Sequence, residues 1–335
     1  MSRPAPRHTP AWLSRRAVTN GLVAVLGLSL TGCGLPDRVV GLHDAPVEKT
    51  SGAAYSEAAA LSIVTRVLTA ADAAFASSDA ARKTRRTVLT GPALRSAEVE
   101  NRFEDRSASL RTRGKPTVLG ISAGRDWPRH ILATTLVDGV QELHVLRANS
   151  PTSPYKLWIT APMLPGASLP TLPPLAEGIT VVAGDKGLAA SPTEVLTAYG
   201  QLLNVPTKTK TSKIVTTKDA YAAAVAQATA AQQKALGTLG TFTRTNKPAT
   251  ETLSFRLADG GALVFGQLAR TDQLAPTSKA KRLDLPANLA KLAKTKSVTE
   301  SLRLNWLMSA IAVVPTSGAA TVIGVGEQLR GIEAD

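Results

Sequence analysis

Pro162, Pro165, Pro170, Pro173 and Pro174 fall within thirteen residues at the middle of a chain of 335. Proline lacks the backbone N–H and fixes φ near −65°, so neither a helix interior nor a central strand can run through such a stretch. The chain must therefore build its regular structure on either side of it. We read two halves, 53–175 and 176–335, each folding by itself with a junction at 162–174. Enough of the chain is apolar to give each half a core: hydrophobic residues make up 44% and charged ones 19%. That balance excludes bulk disorder and a multi-span membrane protein. A single cysteine excludes an intramolecular disulfide, a thiolate zinc site and an iron–sulfur cluster.

That cysteine lies in a telling place. Residues 1–20 carry Arg3, Arg7, Arg15 and Arg16 without an acidic residue, and Gly21 to Leu30 is an apolar run, GLVAVLGLSL. A helix that spans a bilayer needs about 20 apolar residues, so this run reads as the core of a signal peptide. It ends in Leu30-Thr31-Gly32-Cys33, which resembles the lipobox of bacterial lipoproteins. The resemblance implies cleavage after residue 32, lipidation of Cys33 and attachment to the extracytoplasmic face of the cell membrane. Two acyl chains on one cysteine suffice for stable anchoring, where a single chain is marginal. Ser14-Arg15-Arg16 is also similar to the start of a twin-arginine signal, so general and twin-arginine export both stay open. Residues 33–52 then read as a flexible tether, with Pro36, Gly41 and Pro46 and little periodicity.

In the first half, Leu61, Val64, Leu68, Ala71 and Phe75 recur at helical spacing, and a more charged helical segment covers 92–109. Strand patterns follow at 117–122, 131–137, 140–147 and 155–160, with Leu157 and Ile159 expected on one face. Asp138-Gly139 between two alternating runs is a strong hairpin signal. In the second half, Ser191-Pro192-Thr193-Glu194 is a capping box with proline at the first helical position. An alanine-rich helix covers 217–236. Strands follow around Asp259-Gly260-Gly261, where a three-residue loop places Phe255 opposite Phe265 and Leu257 opposite Leu263. A short apolar stretch at 179–182 opens the half, and a final hairpin joins 302–314 to 319–328.

Each half thus reads helices first and antiparallel strands after, an α+β layering in which helices cover one face of a curved sheet. This element order resembles tandem NTF2-like (cystatin-like) cones, and the whole arrangement resembles uncharacterised lipoproteins of high-GC Gram-positive bacteria. The NTF2-like resemblance implies either a cone cavity used as a ligand pocket or active site, or a role in protein association alone.

Motifs for chemistry are scarce. Pairing across Asp138-Gly139 puts His144 opposite Ala133, three residues from His130, so the two histidines leave opposite faces of the sheet and cannot share a metal or act as a pair. Both read as ordinary strand residues at a sheet rim. Ser278-Lys279-Ala280-Lys281 has serine–lysine spacing, but the Ser-Asp-Asn and Lys-Thr-Gly partners of that chemistry are missing. Gly324-x-Gly326 has no helix behind it and fails as a dinucleotide loop. No catalytic residue, metal site or cofactor is assigned.

Charge is more informative. The net charge is +14, and only four of the arginines leave with the signal. Within a segment at 271–299 that the first half lacks, the stretch from Lys279 to Lys296 carries Lys279, Lys281, Arg282, Lys291, Lys294 and Lys296 against one acid, Asp284. With Leu283, Leu285, Leu289 and Leu292 it could present a basic, partly apolar edge to an anionic membrane or wall component. Aromatic residues are 4%, too few for the stacking platforms of nucleic-acid binding. The sequence therefore points to a membrane-anchored, non-enzymatic envelope lipoprotein that binds a partner protein, an anionic envelope component or a small apolar ligand. An envelope hydrolase or transferase with its site in a cone cavity is the alternative, and a solute-binding lipoprotein for a transporter a further one.

Overall fold

Serine caps start the first helices. Ser56 accepts a hydrogen bond from the Ala59 N–H and Ser78 from that of Ala81, which satisfies donors that a helix start leaves open. The computed structural model describes residues 52–335 apart from 77, 104–112 and 208–211. The expected signal peptide, Cys33 and nearly all of the tether lie outside the described residues. The first half contains α1 (Glu57–Phe75), α2 (Asp79–Val88), α3 (Gly91–Phe103), β1 (Thr117–Ile121), β2 (Arg129–Val137), β3 (Val140–Ala148) and β4 (Lys156–Pro162). Its strands form an antiparallel meander in sequence order. The second half contains α4 (Pro192–Leu202), α5 (Ala220–Leu236), β5 (Gly240–Arg256), β6 (Ala262–Pro276), β7 (Leu283–Asp284), α6 (Ala287–Ala293), β8 (Ser297–Val298), β9 (Leu302–Val314) and β10 (Thr321–Ala334). Here β5, β6, β9 and β10 form a second antiparallel sheet in that order, with β7 and β8 as a small separate ribbon. The fold is α+β, with open antiparallel sheets and six helices among the described residues.

Alternation along the strands decides what each face meets. On the first sheet Ile131, Ala133, Leu146 and Leu157 pack against Val64, Leu68 and Ala71 of α1. The opposite face, with Leu132, Leu143, Val145 and Ile159, meets Phe255, Leu263, Phe265 and Ile311 of the second sheet. The second sheet's other face, with Val264, Leu268 and Met308, lies under Val195, Leu196 and Tyr199 of α4. The layers therefore run helix, sheet, sheet, helix, except that α3 also packs on β10 of the second sheet, where Arg95 and Ser96 bond to Gln267 of β6. Each half supplies its own helices and strands, and the two sheets complete one shared apolar layer. A fully buried leucine or phenylalanine in it contributes about 2–3 kcal/mol of transfer free energy. Lys49–Asp335 forms one compact unit.

Several local expectations need correction. Leu157 and Ile159 face opposite ways, because the register of β4 against β3 shifts between Leu146 and Val145 and leaves Trp158 as an extra residue. The β5–β6 turn spans Leu257 to Gly261, with Gly260 at φ 86° and the Asp259 carboxylate accepting from the Gly261 N–H. Phe255 consequently pairs with Leu263 and Leu253 with Phe265. This is a slip of two residues, which keeps the buried face buried. Thr271–Pro276 belongs to β6, so the excursion of the second half begins at Thr277. The stretch at 179–182 makes no strand of its own. Ile179 bridges Ser122 of the first half while Val181 bridges Phe255 of the second, so it straps the two sheets together. Of the proline-rich stretch, Leu164, Ala167, Leu169 and Leu172 border the sheets' apolar cores. Gly324 has its role here: a Cβ on it would lie 2.9 Å from the Pro162 carbonyl oxygen, so glycine lets the chain cross β10 at the Met163–Gly324 bridge.

Candidate functional site

The helix-facing side of the second sheet carries a row of charge. On β5 and β6, Arg244 and Asp272 are cross-strand partners, and Arg270 lies two residues from Asp272 on the same face. The Arg244 guanidinium donates through Nε and Nη2 to both Asp272 oxygens, at 2.6 and 3.2 Å. Arg270 Nε stands 3.3 Å from the same carboxylate, and Arg270 Nη1 donates to Glu327, as does the Tyr221 hydroxyl. Two cations and two anions therefore balance, all drawn from one sheet face. The Arg244 guanidinium also stacks 5.3 Å from the centroid of the Phe242 ring, and that of Arg270 4.7 Å from Trp306. Beside this row lies a cavity of about 70 Å³. Its polar wall is Thr229 and Gln232 of α5 with Arg244 and Asp272, and its apolar wall includes Phe242, Leu274, Leu289 and Leu304.

The cavity follows from the sequence of α5. Asp219 caps its start, and Gly237, at φ 52°, follows its last residue. Its inward stripe, Tyr221, Val225, Thr229, Gln232 and Leu236, is only half-buried. Within the helix only Ala222 is fully buried. Alanine, threonine and glutamine at 228, 229 and 232 are too short or too polar to fill the space down to the sheet.

The first half also has a polar cluster on its helix-facing side. Arg113 donates through Nε and Nη2 to the two oxygens of Asp72 on α1, at 3.0 and 2.7 Å. Its Nη1 reaches Thr135 Oγ1 at 3.0 Å and His144 Nε2 at 3.2 Å. Nε2 is therefore the acceptor, and Nδ1–H faces Thr160 Oγ1 at 2.9 Å. Burial, with Arg113 beside it, lowers the His144 pKa to about 3, so the ring is neutral. It is also closed to solvent, with 0% exposure. This arrangement ties α1 to the sheet and offers no reactive access.

Both histidines thus depart from the expected sheet rim. They do leave opposite faces: the observed register pairs His144 with Ala133 and His130 with Arg147. His130 sits between the sheets, edge-on to Phe255, and neither ring nitrogen has a hydrogen-bond partner. Burial and the nearby Arg147 lower its pKa to about 4.

Of the residues singled out from sequence, Leu30, Thr31, Gly32 and Cys33 lie outside the described residues. Lys279, Lys281, Arg282, Lys291, Lys294 and Lys296 are all exposed on the excursion after β6, and Arg282 is ion-paired to Asp284 at 3.2 Å. The expected apolar edge is different. Leu283, Leu285 and Leu289 turn inward against the cluster of Phe242, Leu274, Val298 and Leu302, because they close the end of the second sheet. Leu289 thereby lines the cavity. Leu292 is half-buried. The cavity row itself was missed in the sequence, although Thr241, Thr243 and Thr245 alternate with Phe242, Arg244 and Asn246 in a strand pattern.

Among the described residues no group of three or more His, Cys, Asp or Glu is placed to hold a metal ion. No curated protein and no solved structure matches the chain. One family model matches residues 51–331, across both halves and both polar clusters. The chain belongs to that family, described as Domain of unknown function (DUF8094).

Proposed function

We propose that this chain is a lipid-anchored envelope protein, held at the extracytoplasmic face of the cell membrane through Cys33, that binds rather than catalyses. Its basic excursion contacts an anionic envelope component. The observation that carries the contact is the outward placement of Lys279, Lys281, Arg282, Lys291, Lys294 and Lys296 while Leu283, Leu285 and Leu289 of the same segment pack inward. The contact is accordingly electrostatic, and salt weakens it. Leu30-Thr31-Gly32-Cys33 supports the anchor. We also propose that the halves are tandem NTF2-like cones. In support, each half has helices followed by four long antiparallel strands in one sheet, and the two sheets share an apolar layer with α1 and α4 on their other faces.

The test uses Lys49–Asp335, which forms its own compact unit, with the six cationic residues changed to glutamine. Each lysine near an anionic bilayer is worth about 1 kcal/mol, so the variant should bind vesicles rich in phosphatidylglycerol at least about tenfold more weakly at low salt. Equal binding by the variant and the wild type would overturn the contact. In cells, a full-length Cys33→Ser variant should leave the membrane fraction, and its retention there would overturn the anchor.

A further inference from the structure

We infer that the cavity beneath α5 is a binding site for a small uncharged molecule with an apolar body and one carbonyl acceptor. The inference is independent of the anchor and of the basic contact.

The donor is fixed in advance. Arg244 is buried, held by both Asp272 oxygens and stacked on Phe242, so its guanidinium loses little freedom when a ligand arrives. Nε and Nη2 are committed to Asp272. Nη1 makes only a long contact of 3.4 Å, to Thr229 Oγ1. A guanidinium presents five N–H groups and no acceptor, so the polar wall has donor capacity to spare and calls for an acceptor.

Charge decides which acceptor. Arg244 and Arg270 are already matched by Asp272 and Glu327. A carboxylate would leave a net negative charge beside Asp272 in a half-enclosed space, and an ammonium would face Arg244 with no free acid. A neutral carbonyl keeps the balance and takes the Nη1 hydrogen. The remaining walls, Phe242, Leu274, Leu289 and Leu304, suit an alkyl body. At about 70 Å³ the space is less than half that of a cavity that holds benzene, so it fits a short chain or the end of a longer one.

The experiment titrates isotope-labelled Lys49–Asp335 with pentanamide, pentanoate and pentylammonium, three probes of equal chain length, and follows backbone amide shifts. Pentanamide should give saturable shifts around Thr229, Gln232 and Arg244, with the millimolar affinity expected of so small a ligand. The two charged probes should bind several-fold more weakly. Thr229→Leu fills the cavity from the helix without touching the Arg244–Asp272 pair, and should weaken pentanamide by about tenfold or more while leaving the remaining amide shifts in place. Arg244→Lys keeps the charge, loses the fork, and should also weaken it. Absence of saturable shifts with pentanamide, or undiminished binding by Thr229→Leu, would overturn the site. Tighter binding of pentanoate or pentylammonium than of pentanamide would overturn the neutral-carbonyl assignment.

Discussion

α1 and α5 each lie over one face of an antiparallel sheet, yet they pack differently. α1 buries Ala60, Val64, Val67, Leu68, Ala71 and Ala74, and Arg113, paired with its Asp72, also reaches Thr135 and His144 on the sheet. By length and apolarity α1 is also the described helix that could cross a membrane, but its apolar face is spent on the first sheet. α5 is as rich in alanine but fully buries only Ala222, and it stands over a cavity. The difference teaches that helix propensity and layer order do not decide whether the space between a helix and its sheet is filled. What decides is whether the middle of the inward face carries branched aliphatic side chains, as Val64, Val67 and Leu68 do in α1, or polar ones, as Thr229 and Gln232 do in α5.

The largest test of this contrast is truncation. Leu68→Ala in α1 should cost about 3–4 kcal/mol in the denaturant midpoint, because it opens a void in a sealed layer. Val225→Ala on the inward stripe of α5 should cost under about 1 kcal/mol, because that stripe is half-solvated already. Equal losses would break the comparison.

Protonation gives the next effect. His130 and His144 both have pKa values far below the ordinary 6.5 when folded, so the unfolded chain binds more protons between that value and the folded ones. Stability is therefore complete above about pH 6.5 and falls as the pH drops, by roughly 3 kcal/mol for His130 down to pH 4. His130→Leu should remove its part of this slope and add about 1–2 kcal/mol near neutrality, since it deletes two unpartnered buried nitrogens. His144→Leu should instead destabilise, because Arg113, Thr135 and Thr160 lose their partner. Urea titrations of both variants at pH 5 and pH 7 separate the two roles.

The smallest effect sharpens the contrast from the other side. Gln232→Leu should raise stability by about 1 kcal/mol in thermal or chemical unfolding, as it adds apolar contact where α5 now faces a gap.

Much of the layering was legible in the sequence. The capping box at Ser191 and Glu194 is present as read, with both reciprocal hydrogen bonds. The Asp138-Gly139 hairpin has the expected register, because a two-residue turn leaves no freedom in the pairing. What escaped were features set by contact between distant segments. The bulge at Trp158 in the β3–β4 pairing is announced by no local pattern. α2 went unread because its mostly polar sequence shows an inward face only through Ala81 and Arg85, the latter bonded to the Ala74 and Ala76 carbonyls. The histidines read as rim residues because alternation gives the face of a strand residue but not what covers that face. The row of Arg244, Arg270 and Asp272 was hidden for the same reason: charged residues on a strand look solvent-facing until a helix is laid over them.

The strap at 179–182 and the shared layer between the sheets have a consequence for synthesis. When the ribosome has released only the first half, α1 covers one face of the first sheet, while Leu132, Leu143, Val145 and Ile159 on the other await Phe255, Leu263 and Phe265. The strap's second attachment, at Phe255, is also still to come. At roughly 5–20 residues per second, that apolar face stays bare for several seconds. A bare sheet face invites association with other chains, so the first half expressed without the second should aggregate where the whole chain does not.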